Sequence, residues 1–139
     1  MDKALNTLSL ARKAGLAELG EEPVGAAARA LTAHLILVAA DASDHTWRRA
    51  KSFAAGTDQQ CVRLEASKDE MGMAVGRQSL AIAAITDPAL ALSLVEGLGQ
   101  PEKYKDAAAA LTEKVRRRRQ RQTEAKAHQR NRRKGTKKN

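Results

Sequence analysis

Cysteine occurs once, as Cys61, so an internal disulfide and an all-cysteine metal site are both excluded. The apolar residues around Cys61 point to a buried, unreactive thiol. Aromatic residues are almost as scarce, with one each of Trp47, Phe53 and Tyr104. Three rings spread over the chain cannot form a platform on which successive unpaired bases stack. No apolar run approaches the roughly 18 residues that suggest a membrane span, and MDKALNTLSL lacks the apolar region of a signal peptide. The expectation is a chain of the reducing cytoplasm, with no membrane partner.

Catalytic equipment is missing in the same way. No GxGxxG follows a strand and no Walker loop is present; Gly72 and Gly76 flank Met-Ala-Val, which lacks the spacing to wrap a pyrophosphate. His34, His45 and His128 lie in a strand start, a helix start and the tail, so they read as ordinary polar residues rather than ligands. Asp41 and Asp44 straddle a strand end, where they suit helix capping. Ser43, Thr46 and Ser79 have no evident base beside them. The chain is expected to be non-enzymatic, with no metal and no cofactor.

What the sequence has in excess is positive charge, and it is placed at one end. Residues 1–100 hold 10 Lys/Arg against 12 Asp/Glu, whereas residues 101–139 hold 15 against 4, so the formal +9 divides into −2 and +11. A near-neutral domain with a polycationic extension suits a polyanionic partner, because phosphate contacts release counterions whatever the base sequence. The run Arg116, Arg117, Arg118, Arg119 is the densest part, continued by Arg130, Arg132, Arg133, Lys134, Lys137 and Lys138. No apolar stripe survives beyond Val115, so this stretch is expected to be a frayed helix or disordered before it meets phosphates.

Between these limits, helix and strand signals alternate. Asp2 and the spacing of Leu5, Leu8 and Ala11 predict a first helix leaving at Gly15, and Glu21, Glu22 and Pro23 suit the start of a second. HLILVA at 34–39, residues 60–64 and LAIAAI at 80–85 read as three core strands. Ser43 offers a cap for a third helix, and Ser67 to Glu70 forms a capping-box pattern for a short fourth. Asp87 and Pro88 open a fifth, through about Glu96. Alternation of this kind predicts a sheet between helices. Pro101 opens a last helical pattern whose Tyr104, Ala108, Leu111 and Val115 form a stripe suited to the domain or to a partner helix. The expected division is an α/β domain over residues 1–99 and a basic extension over residues 100–139. A chain ending near Gly99 is expected to remain folded.

The segments SLARKAG, LGEEPV, HLILVAADASDHT, SKDEMGMAVGR and AIAAITD together resemble the bacterial YlxQ proteins, within the superfamily of L-seven-Ae and L-thirty-e ribosomal proteins. The resemblance covers roughly Leu5 to Leu98. It implies a three-layer α/β/α sandwich of the L-thirty-e-like type, without catalysis, and recognition of kink-turn RNA. It places the RNA site at Gly20, Glu21 and Glu22 and at Gly76, Arg77, Gln78, Ser79 and Leu80. Ribosomal members carry Gly-x-Asn-Glu followed by a lysine; here Glu22 stands for the asparagine, Pro23 for the glutamate and Ala26 for the lysine. The paired acids repel phosphate, so the arginine run, which lies outside the resemblance, is expected to supply that affinity.

The expected partner is therefore structured RNA, ribosomal or ribosome-associated, with phosphate contacts positioning and the domain selecting shape. Two alternatives stand beside it: a general DNA-binding or nucleoid protein using only the basic arm, and a protein-interaction module using the Tyr104 to Val115 stripe.

Overall fold

A computed structural model describes residues 1–137, and the side chains of residues 1–131. Five helices precede the long C-terminal one: α1 (Asp2–Lys13), α2 (Glu21–Arg29), α3 (Asp44–Ala54), α4 (Lys68–Ala74) and α5 (Pro88–Gly97), with α6 at Lys105–Lys137. Four strands, β1 (Ala17–Leu19), β2 (Leu35–Val38), β3 (Gln60–Arg63) and β4 (Ile82–Ile85), form one sheet in the order β1-β4-β2-β3. Helices α2 and α3 cover one face, and α1, α4, α5 and α6 lie on the other. The mixed α/β sandwich expected from the helix and strand alternation is thus the fold of the chain.

The helix starts follow the capping chemistry legible in the sequence. Ser43 accepts from Thr46 N–H at 3.1 Å, and Asp87 accepts from Leu90 N–H at 2.9 Å with Pro88 at the first helical position. Ser67 and Glu70 form both hydrogen bonds of a capping box. The helix α1 differs slightly, because Met1 is its cap and Asp2 lies in its first turn, where the carboxylate still favours the positive end of the dipole.

The three expected strands are present, but β3, expected as a core strand, lies at the edge of the sheet with only Val62 buried. β2 and β4 are buried along their whole length, which is why LILV and IAAI show no alternation. β1 is a fourth strand that the three residues Ala17, Glu18 and Leu19 do not announce by any period. It exists through its antiparallel register with β4, Ala17 opposite Ile85 and Leu19 opposite Ala83.

The stripe on α6 docks on its own domain. Tyr104, Ala107 and Leu111 belong to the core cluster and Val115 is buried beside it, while α6 packs on α5 and approaches β3. The Tyr104 hydroxyl donates to the Arg63 carbonyl at 3.3 Å. Packing therefore runs across the expected division between residues 99 and 100, and the stripe is not exposed to a partner helix. From Arg119 to Asn131 every side chain is exposed. The backbone nevertheless stays helical through Lys137. The docked first turns supply the nucleus, and strong helix formers in RRRRQRQTEAKA extend it at little cost. Lys138 and the side chains of Arg132, Arg133, Lys134 and Lys137 lie outside the described part.

Removal of α6 should damage the core rather than a tail. In urea melts, a chain ending at Gly99 should lose its cooperative transition or melt at much lower urea. One ending at Gln122 should melt like the full chain, and Leu111→Ala should cost about 2–5 kcal/mol.

Candidate nucleic-acid interface

The antiparallel pairings of β4 bring two distant segments to one end of the sheet. Gly20 N–H, just past β1, donates to the Ile82 carbonyl at 3.0 Å, and Ala39 N–H, just past β2, donates to Ala81 at 3.0 Å. The start of α2 and the loop leading into β4 therefore lie at the same end of the sheet, with Gly20 bonded to Ile82 two residues past Leu80. Gly20 adopts φ 96°, ψ 163° as the cap of α2, a backbone conformation essentially restricted to glycine.

Within the second segment, Gly76, Arg77, Gln78 and Ser79 are exposed, and Leu80 is buried. Leu80 therefore anchors the loop, with its N–H donating to the Lys68 carbonyl at 3.0 Å, and only the four residues before it face solvent. The loop rests on Gly72, whose carbonyl accepts from Arg77 N–H at 2.8 Å. A β-carbon on Gly72 would lie 2.7 Å from Ser79 N and 2.8 Å from the Arg77 carbonyl oxygen. Sequence reasoning tested Gly72 only as a phosphate-loop residue and missed this supporting role. Its signal is a glycine inside a helix, which costs stability unless another backbone approaches it.

Acidic and basic side chains compete at the start of α2. Glu21 pairs with Arg49, whose guanidinium lies 5.4 Å from the Phe53 ring centroid. Glu22, Pro23 and Ala26 are exposed, and they border a cavity of about 540 Å³ together with Arg29 and Arg49. Arg29 and Arg49 thus provide cations beside Ala26, where the resemblance leads one to expect a lysine. Arg29 was legible as the i+3 neighbour of Ala26 on one helix face. Arg49 was not, because it arrives from α3. Asp41, expected as a cap, accepts from Lys68 N–H at 2.8 Å at the start of α4.

The arginine run lies at the opposite end of the sheet. Lys114 sits 3.2 Å from Asp58 Oδ1 and 3.1 Å from His34 Nδ1, while Arg118 bonds Asp87 Oδ1 at 2.6 Å. His34, Asp58 and Asp87 precede β2, precede β3 and follow β4, so they mark the end remote from Gly20. Burial works to raise the Asp87 pKa, but hydrogen bonds from Arg118 and Leu90 outweigh it and hold the carboxyl below its ordinary value. Burial, then the Lys114 ammonium, lowers the pKa of His34 and keeps its ring neutral. Arg116 is engaged by Glu113 in the preceding turn. Arg117 and Arg119 are exposed. The twelve residues expected to contact RNA therefore form two groups, separated by strands four residues long, or roughly 10 Å of sheet.

Cys61 is half-buried rather than fully so, and burial pushes its thiol up to about 12. A thiol with that pKa holds no appreciable thiolate at neutral pH. No group of three or more His, Cys, Asp or Glu among the described residues is placed to hold a metal. No helix among them is long and apolar enough to cross a membrane.

No family model and no curated protein matches the sequence. Many solved structures are similar in fold, two of them as follows. A protein of unknown function from Bacillus halodurans superposes with a TM-score of 0.67 at 21% identity, covering 72% of this chain and 100% of its own. The Giardia lamblia 15.5 kDa RNA-binding protein superposes with a TM-score of 0.60 at 20% identity, covering 73% of this chain and 86% of its own. At these identities the likeness is one of fold.

Gly72→Ala tests the support beneath the exposed loop. The added methyl should displace the segment from Arg77 to Ser79 at a cost of about 1–3 kcal/mol. Amide chemical shifts should move in that segment and in the start of α2, but not around His34.

Proposed function

We propose that this chain binds structured RNA without catalysing a reaction, with a ribosomal or ribosome-associated RNA as partner and a kink-turn as the shape selected. The observation that carries the reading is that Gly20, Glu21 and Glu22 and the exposed loop from Gly76 to Ser79 lie at the same end of the sheet, joined through the Gly20 to Ile82 hydrogen bond at the entrance of β4. This arrangement occurs in a fold shared with a protein described as RNA-binding. The resemblance to YlxQ and ribosomal proteins places RNA at these same two segments. Exposed backbone and polar side chains at the loop suit contacts to sheared base pairs, and Arg77 has no ion-pair partner among the described residues. The site of action is the cytoplasm.

In this reading the arm contributes affinity and the loop end contributes selectivity. An RNA duplex surface is read through shape, 2′-hydroxyls and phosphates, for which a cationic helix needs no aromatic platform. The arm alone would serve DNA equally well, so the loop end is what separates this function from that of a nucleoid protein.

Fluorescence anisotropy with a kink-turn RNA, an unkinked RNA duplex and a DNA duplex of equal length tests the proposal. The kink-turn should bind most tightly. Changing Arg77 and Gln78 to alanine should narrow its advantage over the unkinked duplex. Changing Arg116 to Arg119 to glutamine should weaken all three, with a salt dependence shallower by about 2, since Arg116 and Arg118 already hold carboxylates and each phosphate lost contributes about 0.9. Equal binding of the three nucleic acids by the wild type would leave the DNA-binding reading in place.

A gain of function provides a second test. Glu22→Asn with Ala26→Lys removes a repelling charge and adds a phosphate partner on an exposed face. Kink-turn affinity should rise by about 1–3 kcal/mol. An unchanged affinity in a folded variant would move the RNA to another surface.

A further inference from the structure

We propose that the end of the sheet remote from Gly20 holds a second RNA contact, a fixed seat for one backbone phosphate between α6 and the strand ends. It rests on the RNA-binding reading and adds to it a two-ended grip.

Lys114, Arg117, Arg118 and Arg121 recur at helical spacing on one face of α6, and that face borders a cavity of about 460 Å³ shared with His34 and Thr86. Two carboxylates reach this region, and each already has a cation: Asp58 lies 3.2 Å from Lys114, and Asp87 lies 2.6 Å from Arg118. Arg117 has only a distant carboxylate, Glu113 at 3.8 Å, and Arg121 has no ion-pair partner among the described residues. Four cations against two anions leave a surplus of positive charge facing the cavity.

Hydrogen-bonding capacity is left over as well. Lys114 has only protons to offer, so His34 Nδ1 accepts at 3.1 Å and the ring proton lies on Nε2, a second donor. The Arg118 Nε is buried with no partner among the described residues. Thr86 adds a hydroxyl at the cavity wall. An anion with several acceptor oxygens matches this donor set.

The position on α6 distinguishes a seat from a loose cationic tail. Leu111 and Val115 are buried and Lys114 is nearly so, which holds the arginines one turn further on at fixed places. An isolated phosphate would need only the cavity. The exposed Arg119, Lys126 and Arg130 continue outward along the helix, where the neighbouring phosphates of an RNA backbone would run.

A seat makes Arg121 worth more than an arginine elsewhere on the arm. The test uses the full chain, an RNA duplex, and three variants: Arg121→Gln, Arg121→Gln with Thr86→Val, and Arg130→Gln, which removes the same charge away from the cavity. The Arg121 variants should bind RNA about tenfold or more weakly, and Arg130→Gln should differ little from wild type. The His34 ring signals should shift on addition of the duplex in the wild type. Arg121→Gln alters one exposed side chain, so its effect is read in a folded protein even if the double variant is destabilised. Equal losses for Arg121 and Arg130 would reduce the arm to general charge and overturn the seat, while RNA binding itself would stand. If inorganic phosphate shifts His34 but the Arg121 variants keep full RNA affinity, the cavity is a free-anion site and the RNA contact is overturned. Absence of RNA binding by the wild type would remove the functional reading beneath it.

Discussion

Strand β4 is hydrogen-bonded along both edges, antiparallel to β1 and to β2, and those two registers decide where every candidate functional residue lies. Ile82 opposite Val38 and Ala83 opposite Leu19 put the entrance of β4 beside the exits of β1 and β2. The loop before β4 and the start of α2 therefore lie at one end of the sheet. Ile85 opposite Leu35 and Ala17 puts the exit of β4 beside His34. A slip of one residue would turn every side chain of β4 to the other face, and both faces are buried, so the register is strongly specified.

Charge is divided along the same axis. On the cavity along α2, Glu21 and Glu22 stand with Arg29 and Arg49, two acids against two arginines, with Glu21 paired to Arg49. At the other end, Asp58 and Asp87 each neutralise one cation of α6 and leave the rest in excess. Polar loop groups can discriminate shape, whereas unpaired guanidiniums bind any phosphate backbone. In the proposed function, placing these at opposite ends of a short sheet would let one molecule do both without the acids of one site repelling the ligand of the other.

Helix α6 joins a structural role and the proposed phosphate contacts in one element. Its first turns, with Tyr104 just before them, complete the core through Ala107 and Leu111, and its next turn carries the cations that pair with the strand ends. At about 1.5 Å per residue, the helical segment from Arg119 to Lys137 extends a little under 30 Å. Rigid attachment limits the directions from which a nucleic acid can approach, something a flexible polycation would leave open.

Local chemistry was legible in the amino-acid sequence wherever a signal depends on neighbours in the chain. Ser43, the Ser67 to Glu70 box and Asp87 with Pro88 marked helix starts, the apolar runs marked β2 and β4, and the composition past residue 100 marked the arm. β1 was hidden because three residues have no period and owe their conformation to β4. Gly72 and Arg49 were hidden because their roles come from a loop and a helix distant in sequence. The Tyr104 to Val115 stripe was visible, but its docking partner was not, since an apolar face needs burial and does not say against what. The sequence by itself determined the caps, the strand cores and the amount and position of charge, all of which follow from local spacing and composition. Only the tertiary structure decided that the loop and the arginines stand at opposite ends of the sheet, because that depends on long-range strand register and helix packing.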